Sequence, residues 1–338
     1  MKPDTPPNTP SNTPPRYFPP PPPLAPKVGL FRQTPPAIFP SVLGVIGLGI
    51  VWRTAAPALG VPGAIGDVIL GAAALLWLFA ALAYLAKVAR RPAVIGEDLR
   101  VLPGQTGLAG ATMGLMALSV GLVPVAPALA GVAGLVGFGA HMLLALAMAR
   151  RFATTPPEAR QVTPAWHMIF VGGIIAALTA TRLGHLGPAQ ALMWAETAAA
   201  IAIWAVSLRD LVRHVPPAPL RPMLTIHAAP AGLLSVVSLE TGHEAQAVVF
   251  ALLALAILCA IALRLRWVAT AGFSPLWGGF TFPVAISATA FLSLSGLWLA
   301  PAIVALATTT VLTPYVASRV LRAWAGGQLG AKTGAAIA

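Results

Sequence analysis

Residues 66–91 read GDVILGAAALLWLFAALAYLAKVARR. From Val68 to Ala86 no residue is charged, and then Lys87, Arg90 and Arg91 close the run. About 20 apolar residues, rising 1.5 Å each, cross the roughly 30 Å hydrocarbon core of a bilayer. The stretch therefore reads as one spanning helix ended by a basic break. The same alternation recurs along the chain. Apolar runs lie at approximately 37–55, 66–88, 105–124, 127–149, 164–181, 187–208, 222–239, 245–263, 274–294 and 297–318. Composition points the same way: of 338 residues, 57% are hydrophobic and 9% charged, against about 25% charged in an ordinary soluble domain. So few charges cannot clothe a water-soluble surface, which excludes a soluble enzyme and a disordered chain. The single cysteine, Cys259, excludes a disulfide scaffold. The fold class is an all-α polytopic membrane protein with ten transmembrane helices.

The basic residues set the orientation. With the N-terminus inside, 19 of the 21 Lys and Arg residues fall in the cytoplasmic breaks and tails, and only Arg53 and Arg182 fall outside. Nine or eleven helices would scatter that asymmetry, so the positive-inside rule supports ten, with both termini cytoplasmic. The net charge of +12 then follows from topology, and no nucleic-acid partner is expected. Residues 1–36 stand apart as a proline-rich cytoplasmic tail with 14 prolines, including Pro19 to Pro23. Proline fixes φ and lacks an N–H, so this tail reads as extended or disordered. Either solvation or a proline-binding partner accounts for it. The domain division is 1–36, a helical domain over 37–322, and a C-terminal tail over 323–338.

The ten runs fall into five hairpins, starting near 37, 105, 164, 222 and 274. The odd-numbered runs carry the irregular residues: Pro40 in the first, Pro164 in the fifth, Pro230 in the seventh and Pro283 in the ninth. The third has Gly107, Gly110, Gly114 and Gly121 on one face. Proline in a lipid-facing helix frees a carbonyl that no water can satisfy, so such residues belong where helices pack or line a cavity. The odd helices are therefore expected inside and the even ones outside. Close packing explains the small-residue stripes as well as a pore does.

Chemistry-bearing motifs are absent. No HExxH, CxxC, GxSxG or Walker A pattern occurs, and the six histidines are scattered, so no metal or other cofactor is expected. Glu196 is the one acid well inside a run, and His141, His167 and His227 are the histidines placed in runs. A structural hydrogen bond and proton coupling are both open readings of Glu196.

Four stretches resemble one family. They are Phe39-Pro40-Ser41-Val42-Leu43-Gly44 with Trp52; Thr163-Pro164-Ala165-Trp166 with Gly172 and Gly173; Arg221-Pro222-Met223 leading to Ala229-Pro230-Ala231; and Leu276 to Pro283 (LWGGFTFP) with Ser287-Ala288-Thr289-Ala290. Their order on a ten-helix frame is similar to the tellurite-resistance/dicarboxylate transporter family, which includes bacterial TehA, fungal malate permeases and plant slow anion channels. The resemblance covers about 37 to 322. It implies five hairpins around a central pore, a homotrimer in the bacterial inner membrane, small inorganic or carboxylate anions as the transported partners, and occlusion by Phe282. The pore-lining or kink candidates are Pro40, Gly44, Gly110, Gly114, Gly172, Pro230, Gly279, Pro283 and Thr289. The family also leaves open a C4-dicarboxylate carrier or a tellurium-oxyanion efflux protein. Tail phosphorylation, which gates plant members, is not carried over to a tail with so few Ser and Thr.

Phe282 shares its helical face with Gly278, Gly279, Ala285, Ile286 and Thr289. A ring among small residues can dewet a narrow lumen, and it can equally be a packing knob. Phe280 lies roughly 200° around the helix from it. The topology is checked by labelling single cysteines placed at positions 90 and 151 in intact cells. Both should be accessible from the cytoplasm only, and labelling from outside contradicts the 19-to-2 assignment.

Overall fold

The computed structural model describes residues 29–338; expectations for residues 1–28 of the tail lie outside the described residues. Those described form helices and turns without a strand. In chain order they are α1 (Phe39–Leu59), α2 (Ala64–Arg90), α3 (Val94–Asp98), α4 (Leu102–Leu122), α5 (Pro127–Thr154), α6 (Ala165–Phe170), α7 (Ile174–Arg182), α8 (Leu186–Arg213), α9 (Ala228–Glu240), α10 (Glu244–Leu263), α11 (Leu265–Val268), α12 (Gly278–Leu294), α13 (Leu299–Ala325) and α14 (Gln328–Thr333). Short 3-10 turns precede several of them, the longest over Ala218–His227.

The helices form two concentric layers. α1 packs on α4, α4 on α7, α7 on α9, α9 on α12, and α12 returns to α1, which closes a ring of five. Each ring member has its hairpin partner outside: α2, α5, α8, α10 and α13. Burial separates the layers. The apolar stretches ending in α1, α9 and α12 are 56%, 83% and 78% buried, against 22–28% for the five outer helices. The outer helices keep large apolar side chains such as Leu75, Leu135, Leu143 and Val304 exposed. Water would penalise that surface and lipid does not, so the chain is a multi-pass membrane protein.

Eight helical stretches among the described residues are long and apolar enough to cross a membrane. The third and fifth expected runs are helical but fall outside that measure. In α4 the glycines and Gln105 dilute the hydropathy. The fifth run, expected as one helix, breaks after Phe170 and resumes at Ile174. The break falls on Val171-Gly172-Gly173, and paired glycines lower the cost of leaving the helix. The seventh run also differs from a continuous α-helix. It enters as a 3-10 segment and becomes α-helical at Ala228, two residues before Pro230, which has no N–H to donate back toward Ile226.

Glycines set how closely the helices approach, within the ring and between the layers. A Cβ at Gly107 would overlap the Pro36 carbonyl, and one at Gly110 would lie 3.0 Å from the Pro40 nitrogen. The α5 stripe works the same way: Gly134 faces Ser119 and Thr179, and Gly137 faces Met116. The tightest seam joins α1 to α12. A Cβ at Gly44 would overlap the Thr281 side chain, and one at Gly47 would lie 3.0 Å from the Phe282 ring.

The membrane-facing ends are tied by ions. Lys87 and Asp98, both fully buried, pair at 2.7 Å. Tyr84 donates to the same carboxylate at 2.9 Å, and Lys87 also donates to the Thr34 carbonyl. The other Asp98 oxygen accepts from the Ala336 N–H at 2.8 Å, so the C-terminal segment and residues near 34 close over this end together. Just outside the spans, the Arg91 guanidinium beside Glu97 holds that carboxyl below the usual range. The two exceptional basic residues have acid partners of their own: Arg53 pairs with Asp67 and Arg182 with Glu240.

The α1–α12 seam yields a stability test. Gly44→Ala should cost about 1–3 kcal/mol, the range for overpacking a close contact. Gly139→Ala, where a Cβ meets nothing within 4 Å, should cost nothing measurable. Thermal unfolding of the detergent-solubilised protein compares them, and equal behaviour of the two variants contradicts the seam.

Candidate functional site

The five ring elements converge at their basic ends on one small cavity. Its walls come from three ring helices and from the segments that lead into the other two: Pro40 from α1, Thr106 from α4, Gly279 from α12, Met168 from α6 ahead of α7, and Ile226 from the 3-10 segment ahead of α9. At about 10 Å³ it has room for roughly one water. Two of the sequence candidates, Pro40 and Gly279, therefore line it directly. Pro40 sits in the first turn of α1, where its missing N–H costs no hydrogen bond.

Phe282 follows from Gly279 by three residues, so it lies on the same face of α12 one turn deeper. The ring is 4% exposed and rests against Gly47 and the core around Ile46 and Met113. Pro283 next to it lacks the N–H that would return to the Gly279 carbonyl. Phe280 points the other way. It lies beside Trp277 with centroids 5.3 Å apart and the rings tilted by 45°, and it faces the outer groove between α10 and α13.

The remaining candidates take other positions. Gly44 seats Thr281, whose hydroxyl donates to the Gly278 carbonyl at 2.8 Å. Gly110 abuts the Phe39–Pro40 backbone, and Gly114 abuts the Trp77 indole and Ile46, so both face neighbouring helices. Pro230 is buried in the first turn of α9. Thr289 is buried, and its hydroxyl donates to the Ala285 carbonyl at 3.0 Å within its own helix.

Gly172 belongs to a polar grouping that the sequence reading did not assemble. At the break in the fifth run, a Cβ on Gly172 would lie 2.8 Å from the His141 ring of α5. A Cβ on Gly173 would lie 2.5 Å from Glu196 Oε1 of α8. Two outer helices thus reach the ring through a glycine pair, with Glu196 Oε1 set against Gly173 just ahead of α7. His141 Nδ1 is 2.8 Å from the Thr112 hydroxyl. The His167 and His227 rings meet edge-on at 4.9 Å. Glu196 Oε2 and both His167 nitrogens have no hydrogen-bond partner among the described residues. The signal in sequence was the adjacent glycines in one run and lone ionisable residues in the runs beside it. Among the described residues, no three His, Cys, Asp or Glu side chains gather closely enough to hold a metal ion.

A closed ring of five inner helices inside a lipid-facing layer defines a polytopic membrane protein. The family model for the voltage-dependent anion channel (SLAC1) matches residues 33–321, and the chain belongs to that family, the one that includes TehA and malate permease relatives. No curated protein matches the chain. Family membership makes it a membrane anion channel or transporter, in a family of channels and transporters rather than enzymes.

Proposed function

We propose that this protein passes small anions passively along the axis of the five-member ring, and that Phe282 occludes that path. The observation that carries the reading is the register of α12. Gly279 lines the cavity shared by all five inner runs, and Phe282 is the next large side chain on that face. An apolar ring in a narrow, water-poor passage raises the cost of hydrating an ion there, which is how hydrophobic constrictions close.

Selectivity is weak in this reading. Among the described residues no Lys or Arg is buried on the ring helices. Preference for anions comes from the basic mouth. Weak sites favour fast passage and little discrimination among small monovalent anions. The proposal includes ten spans, both termini cytoplasmic, a bacterial inner-membrane location and a homotrimer. The charge asymmetry supports the topology, and family resemblance supports the location and assembly.

A carrier for C4-dicarboxylates or tellurium oxyanions is the second reading. Glu196 with His141, His167 and His227, buried on and around the broken fifth run, is the observation that favours it, because proton-coupled carriers use such groups.

Single-channel recording separates the aromatic positions. Phe282→Ala should raise anion conductance many-fold while leaving folding intact, and Phe280→Ala should leave it near the wild-type level. Opening by Phe280→Ala alone reverses the register of α12, and no change in either variant removes Phe282 as the occluding group.

A further inference from the structure

A second cavity lies on the outer layer, in the groove between α10 and α13 where α12 is left uncovered. It encloses about 770 Å³, within the range of about 300–1,000 Å³ typical of ligand sites. Cys259 and Ala262 of α10, Phe280 and Phe291 of α12, and Thr308 of α13 line it. The walls are apolar apart from Thr225, Thr308, Cys259 and the polar tips of Trp277 and Tyr315. From Pro301 to Tyr315 the groove follows α13 for about 21 Å at 1.5 Å per residue, more than one leaflet's half of a roughly 30 Å core. It is long, narrow and greasy, and it runs behind the helix that carries Phe282.

Charge distinguishes this groove from an ordinary lipid-facing cleft. At its Tyr315 end, Arg264 and Arg266 flank the lining residue Leu265. Arg319, one turn beyond Tyr315, places its guanidinium 4.6 Å from the Phe273 ring centroid and 5.7 Å from that of Tyr315. All three arginines are exposed and none is in an ion pair among the described residues. After Glu244 the sequence contains no Asp or Glu at all, so nothing on this quarter of the chain neutralises them. Trp277 and Tyr315 both gather on Phe273, with ring centroids 5.8 Å and 6.1 Å from it, as aromatic residues do where hydrocarbon meets headgroups. An apolar slot capped by unpaired arginines is complementary to a ligand with a long hydrocarbon tail and an anionic head.

We propose that this groove is a binding site for an anionic phospholipid, with an acyl chain laid along α12 and the headgroup phosphate held at the arginine end. A zwitterionic lipid can lay the same acyl chain in the slot, but its headgroup carries its own compensating cation, so the arginines hold it less tightly and the slot is less occupied. Binding at this site is independent of whether Phe282 occludes the axis, because Phe280 and Phe291, not Phe282, form the wall.

The test is native mass spectrometry of the whole protein after exchange into phosphatidylglycerol or phosphatidylcholine nanodiscs and release into detergent. The wild type should retain one phosphatidylglycerol per chain and prefer it by about tenfold, the effect expected of charge-assisted phosphate contacts. Thr308→Trp, which fills the groove from its exposed wall, should abolish retention. Arg266→Gln with Arg319→Gln should reduce phosphatidylglycerol to the phosphatidylcholine level. Equal retention of both lipids by the wild type overturns the proposal. So does retention untouched by Thr308→Trp, or a wild type that holds no lipid while Thr308→Trp breaks the assembly, since the groove is then an interface between copies. Cys259 provides a check on unmutated protein. As the sole cysteine and a groove residue, it should react with a membrane-permeant maleimide severalfold more slowly in phosphatidylglycerol than in phosphatidylcholine, and equal rates overturn the site.

Discussion

The close approach of α12 to α1 is the constraint on which the rest of the architecture depends. Four ring contacts can form in an open arc; the fifth, between the last inner helix and the first, makes the arc a ring. That contact exists because Gly44 and Gly47 present bare backbone where Thr281 and Phe282 arrive. In lipid there is no hydrophobic gain from helix association, so packing at close range has to supply it. The seam also fixes the rotation of α12. With Thr281 and Phe282 against α1, Gly279 falls on the shared cavity and Phe280 falls on the outer groove. One pair of glycines thus decides which aromatic packs against α1 and which faces the outer groove.

Polar groups inside the bilayer follow a second constraint, since each must find partners or remain exposed to penalty. At the basic end, Lys87 and Asp98 satisfy one another together with Tyr84 and two backbone groups, and the knot draws the two ends of the described chain together. At the break in the fifth run the arrangement is less complete. Glu196 and His167 keep unpartnered atoms beside a gap in the helix, which is why the carrier reading has a physical basis and why it is confined to this one region.

Much of this was legible in the sequence. Apolar runs bounded by arginines gave the helices, and prolines and glycines in alternate runs marked the inner layer. Phe280 and Phe282 could be set on opposite faces by periodicity alone. Three features were not legible. Hydropathy does not register hydrogen-bond continuity, so the fifth run read as one helix although Gly172 and Gly173 break it. Small-residue stripes look alike whether they line or pack, and only the folded chain shows Gly110 and Gly114 against Phe39 and Trp77. Lys87 read as one of the basic residues closing the second run, whereas it is fully buried because Asp98, supplied by the next short helix, folds back onto it.

The most direct test of passive anion flow is the reversal potential of purified protein in planar bilayers under a potassium chloride gradient, repeated with nitrate and malate. The account predicts a measurable current that reverses near the chloride equilibrium potential, is little altered when nitrate replaces chloride, and is independent of a proton gradient. Absence of current together with malate uptake that follows the proton gradient would contradict it and establish the carrier.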